Sequence, residues 1–253
     1  MALRLSTALR NFLMHNGSFK RAFQGGKLLI YSGSQPTDAD TAASGTLLRT
    51  ITLASGARTD ETLATGTVEL LTGAAGSVDT LTVNSVAILP AAVPFNTSLS
   101  QTATDVATAI NDNLTVPEYT ASAAGTVITI KAAPGTGTGP NGYVVASTCT
   151  TITKTDTNMA GGVAQANGVT FGGATSGALV KAGTWSGSSS ASGTAGWFRL
   201  CGSEADDQTA RTDKLRLDGN ISTSGANLNM SSTIITSSTT TTIDTFTITE
   251  PAA

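Results

Sequence analysis

Residues 98–114, SLSQTATDVATAINDNL, decide how this chain is divided. Leu99, Ala103, Val106, Ala107, Ile110 and Leu114 recur at three- and four-residue spacing, which draws one apolar stripe along a helix. Pro117 lies just beyond, where a helix cannot continue. A helix with one apolar stripe needs a second layer to cover it, and its neighbours supply strands. Residues 66–71, a turn at 73–76 and residues 78–89 precede it. Residues 119–123, 126–132 and 142–153 follow it. The order β-β-α-β-β-β reads as a small open sheet with one covering helix, spanning residues 62–163.

On both sides the pattern changes to short strands punctuated by Ser, Thr and Gly. Residues 1–61 and 164–253 therefore read as one outer, all-β unit, sandwich-like or jelly-roll-like, with a short helical N-terminus. Its strands are expected at residues 27–31, 46–53, 169–171, 179–185 and 196–201. Residues 187–193 read as a flexible hairpin tip, and Asp218-Gly219 as a turn. Phe246 and Ile248 alternate with Thr245, Thr247 and Thr249, the mark of a half-buried strand. A loop tip accepts a folded insert when its ends lie close together. The inner module is thus expected to fold by itself, and the outer unit to survive its replacement by a short linker.

Composition supports a mainly β chain. Charged residues make up 12% and aromatics 5% of the 253 residues, with 27 glycines. Disorder is not indicated, because the net charge is only −3 and Thr, Val and Ile are abundant. Nothing approaches the ~20 apolar residues that span a membrane, and no small-residue cleavage site follows an apolar core. A soluble protein made in the cytoplasm is expected, with Cys149 and Cys201 as reduced, small buried hydrophobes.

Charge is unevenly placed. Arg4, Arg10, Lys20, Arg21 and Lys27 all precede the first acid, Asp38. Ser6 is the expected N-cap of a helix reaching His15, with Leu9, Phe12 and Leu13 on one face, and Asn16-Gly17 ends it. Ser18 caps a second, shorter helix that stops at Gly25-Gly26. This basic, apolar-faced head is expected to dock on an acidic partner subunit, so that deleting residues 1–26 leaves a folded chain that no longer assembles. Without stacking aromatics between its charges, it is not expected to bind nucleic acid.

Catalytic constellations are hard to assemble from this sequence. His15 is the sole histidine, and its place at a helix C-terminus suits the helix dipole. One histidine with two distant cysteines does not make a zinc site. Residues 137–142, Gly-Thr-Gly-Pro-Asn-Gly, satisfy G-x-G-x-x-G, but a strand-like Tyr143-Val144-Val145 follows where a dinucleotide site needs a helix N-terminus. The loop reads as a hairpin connection. Asp206, Asp207, Asp213 and Asp218 form the densest acidic patch, interleaved with Arg211, Lys214 and Arg216. Their spacing fits no calcium loop, and a solvated, salt-bridged loop is expected. Trp185 and Trp197 read as core residues. No catalytic, cofactor or metal site is assigned.

Several stretches of the outer unit resemble structural proteins of tailed bacteriophages. They are Leu3-Arg4-Leu5-Ser6-Thr7-Ala8-Leu9-Arg10-Asn11, Ile30-Tyr31-Ser32-Gly33-Ser34-Gln35-Pro36, Gly193-Thr194-Ala195-Gly196-Trp197-Phe198-Arg199, Arg216-Leu217-Asp218-Gly219 and residues 222–228. The inner module resembles one recurrent in phage virion proteins, through Val83-Asn84-Ser85-Val86, Ile110-Asn111, Tyr119-Thr120-Ala121-Ser122 and residues 135–145. The resemblance implies a non-enzymatic virion component, from head decoration, neck or tail, whose partners are copies of itself and other virion proteins. The competing expectation is a module that binds host-surface carbohydrate, displayed through the insert.

Overall fold

The computed structural model describes residues 3–15, 17–188 and 191–250. Strand accounts for 43% and helix for 11%, so the fold is mainly β. In chain order, β1 (Arg4–Leu5), α1 (Thr7–His15), α2 (Phe19–Phe23), β2 (Lys27–Ser32) and β3 (Leu47–Ile51) come first. Next are β4 (Thr65–Thr72), β5 (Ser77–Val83), β6 (Val86–Ala87), β7 (Val93–Pro94), α3 (Leu99–Asn111), β8 (Tyr119–Ala124), β9 (Val127–Ala132), β10 (Val145–Thr150) and β11 (Thr153–Ala160). The chain ends through β12 (Thr170–Thr175), β13 (Ala178–Ala182), β14 (Trp185–Gly187), β15 (Gly193–Cys201), β16 (Arg216–Ser222), β17 (Leu228–Asn229), β18 (Ile234–Ile235), β19 (Thr241–Ile243) and β20 (Thr247–Thr249).

Two compact units result, residues 1–61 with 165–253, and residues 62–164. Thr59 pairs with Ala166 and Thr62 with Val163, both antiparallel. The chain therefore leaves and returns at neighbouring positions, the geometry in which a loop accommodates an insertion.

In the outer unit the main sheet runs β1-β16-β15-β2-β3, with β17 and β18 attached. Its strands alternate with period two. One row crosses it as Leu5, Leu217, Leu200, Leu28 and Ile51; the adjacent row is Arg4, Asp218, Arg199, Leu29 and Thr50. The leucine row belongs to the larger core, which also takes Phe171, Leu179, Trp185, Ile243, Phe246 and Ile248 from the sheets β12-β13-β20 and β14-β19. Edge-to-face rings knit this sandwich-like core, with Phe171 to Trp185 at 5.1 Å and Phe198 to Phe246 at 5.5 Å. Each such pair adds about 0.5–1.5 kcal/mol beyond its burial. On the other face Leu29, Tyr31, Trp197 and Cys201 form a smaller cluster with Ala43 and Leu47. There Tyr31 stacks on Trp197 at 4.6 Å.

The helical head begins at Ser6. Its Oγ accepts the N–H of Leu9 at 3.2 Å and of Arg216 at 3.1 Å, and donates to the Lys214 carbonyl at 2.7 Å. Ser18 caps α2 in the same manner, accepting from Arg21 N–H. Leu9, Ala22 and Phe23 are buried in the large core, with Phe12, Leu13 and Phe19 packed beside them. This corrects the expectation of a detachable anchor. The apolar face of the head is already covered by its own unit, and only the opposite side, carrying Arg10, Met14 and Lys20, faces outward. Asn16 lies outside the described residues.

The inner unit holds two four-stranded sheets, β10-β5-β6 with β7 beside β5, and β11-β4-β9-β8, which corrects the expectation of a single open sheet of β-β-α-β-β-β order. Its core joins Ala103, Val106 and Ile110 of α3 to Val68, Leu81, Ile128 and Ile130. Ser98 caps the helix, accepting from Gln101 N–H. At the far end Asn111 accepts from Ala121 N–H at 2.7 Å and donates to Ala121 O at 2.9 Å. The side chain thereby occupies backbone groups of the edge strand β8 that would otherwise invite another strand.

Several boundaries differ from the sequence expectations. Residues 78–89 are not one strand, because Asn84 (φ 48°) and Ser85 (φ 68°) turn tightly between β5 and β6; such two-residue hairpins require positive φ at both centres. Residues 142–153 are likewise shorter as a strand, and β11 follows as an additional one. Only Met159 of its eight residues is buried, which hid it from an apolar pattern. Residues 137–142 do not close a hairpin, since β9 and β10 belong to different sheets. Gly183 (φ 70°) splits residues 179–185 into β13 and β14. Within residues 187–193, Ser189 and Ser190 lie outside the described residues. Asp218-Gly219 is no turn but the middle of β16. A Cβ on Gly219 would stand 2.6 Å from the Phe198 ring, so this glycine makes room for an aromatic side chain on the adjacent strand.

Removing the head is expected to unfold the outer unit. Leu9→Ala, at a position with no exposure, is expected to cost about 2–5 kcal/mol in urea denaturation. A cooperative, wild-type-like melt after deletion of residues 1–26 would show that the head is dispensable.

Candidate functional site

Two buried ion pairs of the outer unit lie where β15 and β16 run side by side. Arg199 on β15 stands directly opposite Asp218 on β16, and Arg4 on β1 flanks Asp218 from the other side. Arg199 donates from Nε and Nη2 to the two carboxylate oxygens, both at 2.8 Å, and both side chains are fully buried. Two parallel bonds of this kind fix orientation as well as charge. Arg199 also donates to Thr41 O at 3.0 Å and lies over the Trp197 ring at 5.4 Å. Burial opposes the charge on Arg199, and the Asp218 bonds more than offset it. Burial raises the Asp218 carboxyl above the usual range, against the pull of Arg199, Arg216 and Arg4.

A second pair lies alongside. Arg216 donates from Nε to Asp206 at 2.7 Å and also from Nη2, and reaches Thr209 O at 3.0 Å. Burial works against the Asp206 charge, but Arg216 and the N–H of Gln208 prevail and hold its carboxyl below the usual range. A third buried arginine, Arg49, has neutral partners. It donates to Leu48 O at 2.9 Å, Ala191 O at 3.2 Å, Thr236 O at 2.7 Å, Thr239 O at 3.0 Å and Thr241 Oγ1 at 2.9 Å. Burial pulls Arg49 below the usual arginine range. Near the exit to the insert, Lys27 and Arg58 both pair with Asp60.

The acidic patch therefore separates by depth. The expected salt bridges are present, but Asp206 and Asp218 are buried against arginines, which corrects the expectation that the loop is solvated. Asp207 caps its own turn through Thr209 N–H at 3.1 Å. Asp213 meets Arg211 at 2.8 Å, and that bond lowers its carboxyl to about 2. At 59% exposure that pair is screened and adds little stability. Among the described residues, no group of three or more His, Cys, Asp or Glu side chains is placed to hold a metal ion.

The remaining candidates stay apart. His15 ends α1 and is exposed. Cys149 and Cys201 are free thiols; burial, then Asp206, pushes Cys201 up to about 12, where it is an inert, protonated side chain. The Gly137 to Gly142 loop leads into a strand, and Asn141 ties it to Gly162 through bonds of 2.7 and 2.9 Å. Trp185 and Trp197 are fully buried. Sequence reading missed the three buried arginines. Their signal was an arginine inside an apolar strand, as in Trp197-Phe198-Arg199-Leu200-Cys201. The chain matches no family model, no curated protein and no solved structure.

Two outcomes follow from the paired charges. Arg199→Met or Asp218→Leu alone leaves a buried charge unpartnered and is expected to cost about 3–5 kcal/mol, while the double variant recovers most of that loss; strictly additive losses in urea titrations would show that the two groups do not act as a pair. Acid sensitivity tests the second pair. Because the Asp206 carboxyl is depressed on folding, its contribution is fully present above the unfolded value of about 3.9 and is lost as pH falls through the lower folded value. Asp206→Asn is expected to flatten the loss of stability between about pH 5 and about pH 3, and an unchanged slope would remove Asp206 from the account.

Proposed function

We propose that this chain is a non-enzymatic structural component of a bacteriophage particle, made in the bacterial cytoplasm and acting through contacts with copies of itself and with other virion proteins. The observation that carries the reading is where the phage-like stretches fall. Leu3 to Asn11 holds β1 and the start of α1, Ile30 to Pro36 closes β2 and begins its covering loop, Gly193 to Arg199 and Arg216 to Gly219 lie on β15 and β16, and residues 222–228 lead from the end of β16 to β17. Strands β1, β16, β15 and β2 are consecutive neighbours in one sheet. The resemblance is thus to a framework and not to a cleft. The charged groups at its centre are engaged with one another, as Arg199 with Asp218 and Arg216 with Asp206. Groups paired in this manner hold a scaffold; they are not poised for proton transfer.

The outward side of the head supplies a contact surface. Met14 is 87% exposed, with Arg10 and Lys20 also exposed beside it in sequence. An apolar residue amid basic ones suits an acidic subunit face.

Mass spectrometry of gradient-purified particles from a host carrying the gene is expected to find the full-length chain at fixed stoichiometry. The double variant Met14→Glu/Lys20→Glu is expected to melt as wild type yet enter particles less. Absence of the wild-type chain from particles would sink the reading.

A further inference from the structure

The inner unit contains a cavity of about 190 Å³ that the scaffold does not need. Its walls come from the segment before β8, from the end of β9, and from the glycine-rich loop. It is lined by Pro117, Glu118, Tyr119, Ala132, Ala133, Thr136, Gly139, Pro140 and Tyr143. Tyr119 is only 3% exposed. Among the described residues neither the Tyr119 nor the Tyr143 hydroxyl hydrogen-bonds to another protein group, and neither is a sealed, buried atom, so both remain open to a ligand in the cavity. Burial raises the Tyr119 phenol, and the nearby Tyr143 phenol raises it further, so the two hydroxyls lie within each other's electrostatic reach.

We propose that this cavity binds a single neutral pyranose ring, the terminal residue of a glycan. The size admits one six-membered ring and is well below that of a cavity for a drug-sized ligand. Its apolar surfaces, the two proline rings and the methyl groups of Ala132 and Ala133, match the C–H face of a sugar. The phenols offer donors and acceptors to the hydroxyl edge. A purely aliphatic ligand would leave those phenols dry and unpaired, at a desolvation cost. The inference does not depend on where the chain sits in a particle, or on whether it sits in one.

Amide-shift titration of the isotope-labelled full-length chain tests it, with methyl α-D-glucopyranoside, methyl β-D-galactopyranoside and methyl N-acetyl-β-D-glucosaminide as probes. Tetramethylammonium chloride and inorganic phosphate serve as competing arms. At least one glycoside is expected to move the amides of Ala133, Gly139 and Tyr143 saturably. Tyr143→Ala is expected to weaken that binding about three- to tenfold, as loss of one aromatic face implies. Tyr119→Phe, which keeps the ring and removes only the hydroxyl, should weaken it as well. Thr148→Ala, on a solvent-facing strand position where Thr148 meets only Thr80 at 2.7 Å, should not. If Tyr143→Ala does not fold, Tyr143→Phe replaces it, and loss of its hydroxyl alone is expected to weaken binding, as for Tyr119→Phe. The proposal is overturned if no glycoside shifts these amides, if only tetramethylammonium or phosphate does, or if the folded tyrosine variants bind as wild type.

Discussion

The outer unit depends on one cross-strand contact, the buried fork from Arg199 to Asp218. Two fully buried opposite charges tolerate one register between β15 and β16, because a slip of one residue would carry Asp218 to the face where Phe198 and Leu200 pack. Such a pair contributes little net stability, since desolvation absorbs most of its Coulombic gain. Its effect is to make other registers far worse. The same arginine reaches Thr41 and lies over Trp197, and its neighbour Arg216 reaches Ala39 and Thr209. Loops that cover the second face of the sheet are therefore positioned by the groups that set strand register.

A similar device places the C-terminal segment. Arg49 has backbone and hydroxyl acceptors around it, from Thr236 to Thr241, and no carboxylate among its hydrogen-bond partners. Burying a guanidinium costs least where its N–H groups are satisfied. The threonine-rich stretch 236–242 is ordered around that demand, although its composition alone reads as low complexity. The head is tied in by a smaller group of the same type, the Ser6 hydroxyl, which accepts from both α1 and β16.

The two units divide the work differently. The outer one spends its buried charges on one another, as Arg199 with Asp218 and Arg216 with Asp206. The inner one buries an apolar core beneath α3, closes the β8 edge with Asn111, and keeps a pocket with two phenols that its own fold does not use.

The sequence by itself determined the mainly β character, a helix within residues 98–114, although it ends at Asn111 and leaves Leu114 exposed, the serine caps and the parity of Phe246 and Ile248. These are local: periodicity, capping chemistry and composition act within a few residues. What only the tertiary structure decided is non-local. Gly219 is a strand residue because Phe198 lies across from it, and Asp218 is buried because Arg199 is its partner on the adjacent strand. The head is part of the core because the return strands cover its apolar face. Tyr119 and Tyr143 meet because the connection between two sheets brings a loop beside an edge strand. No window of sequence contains those pairings, since each is set by which strands become neighbours.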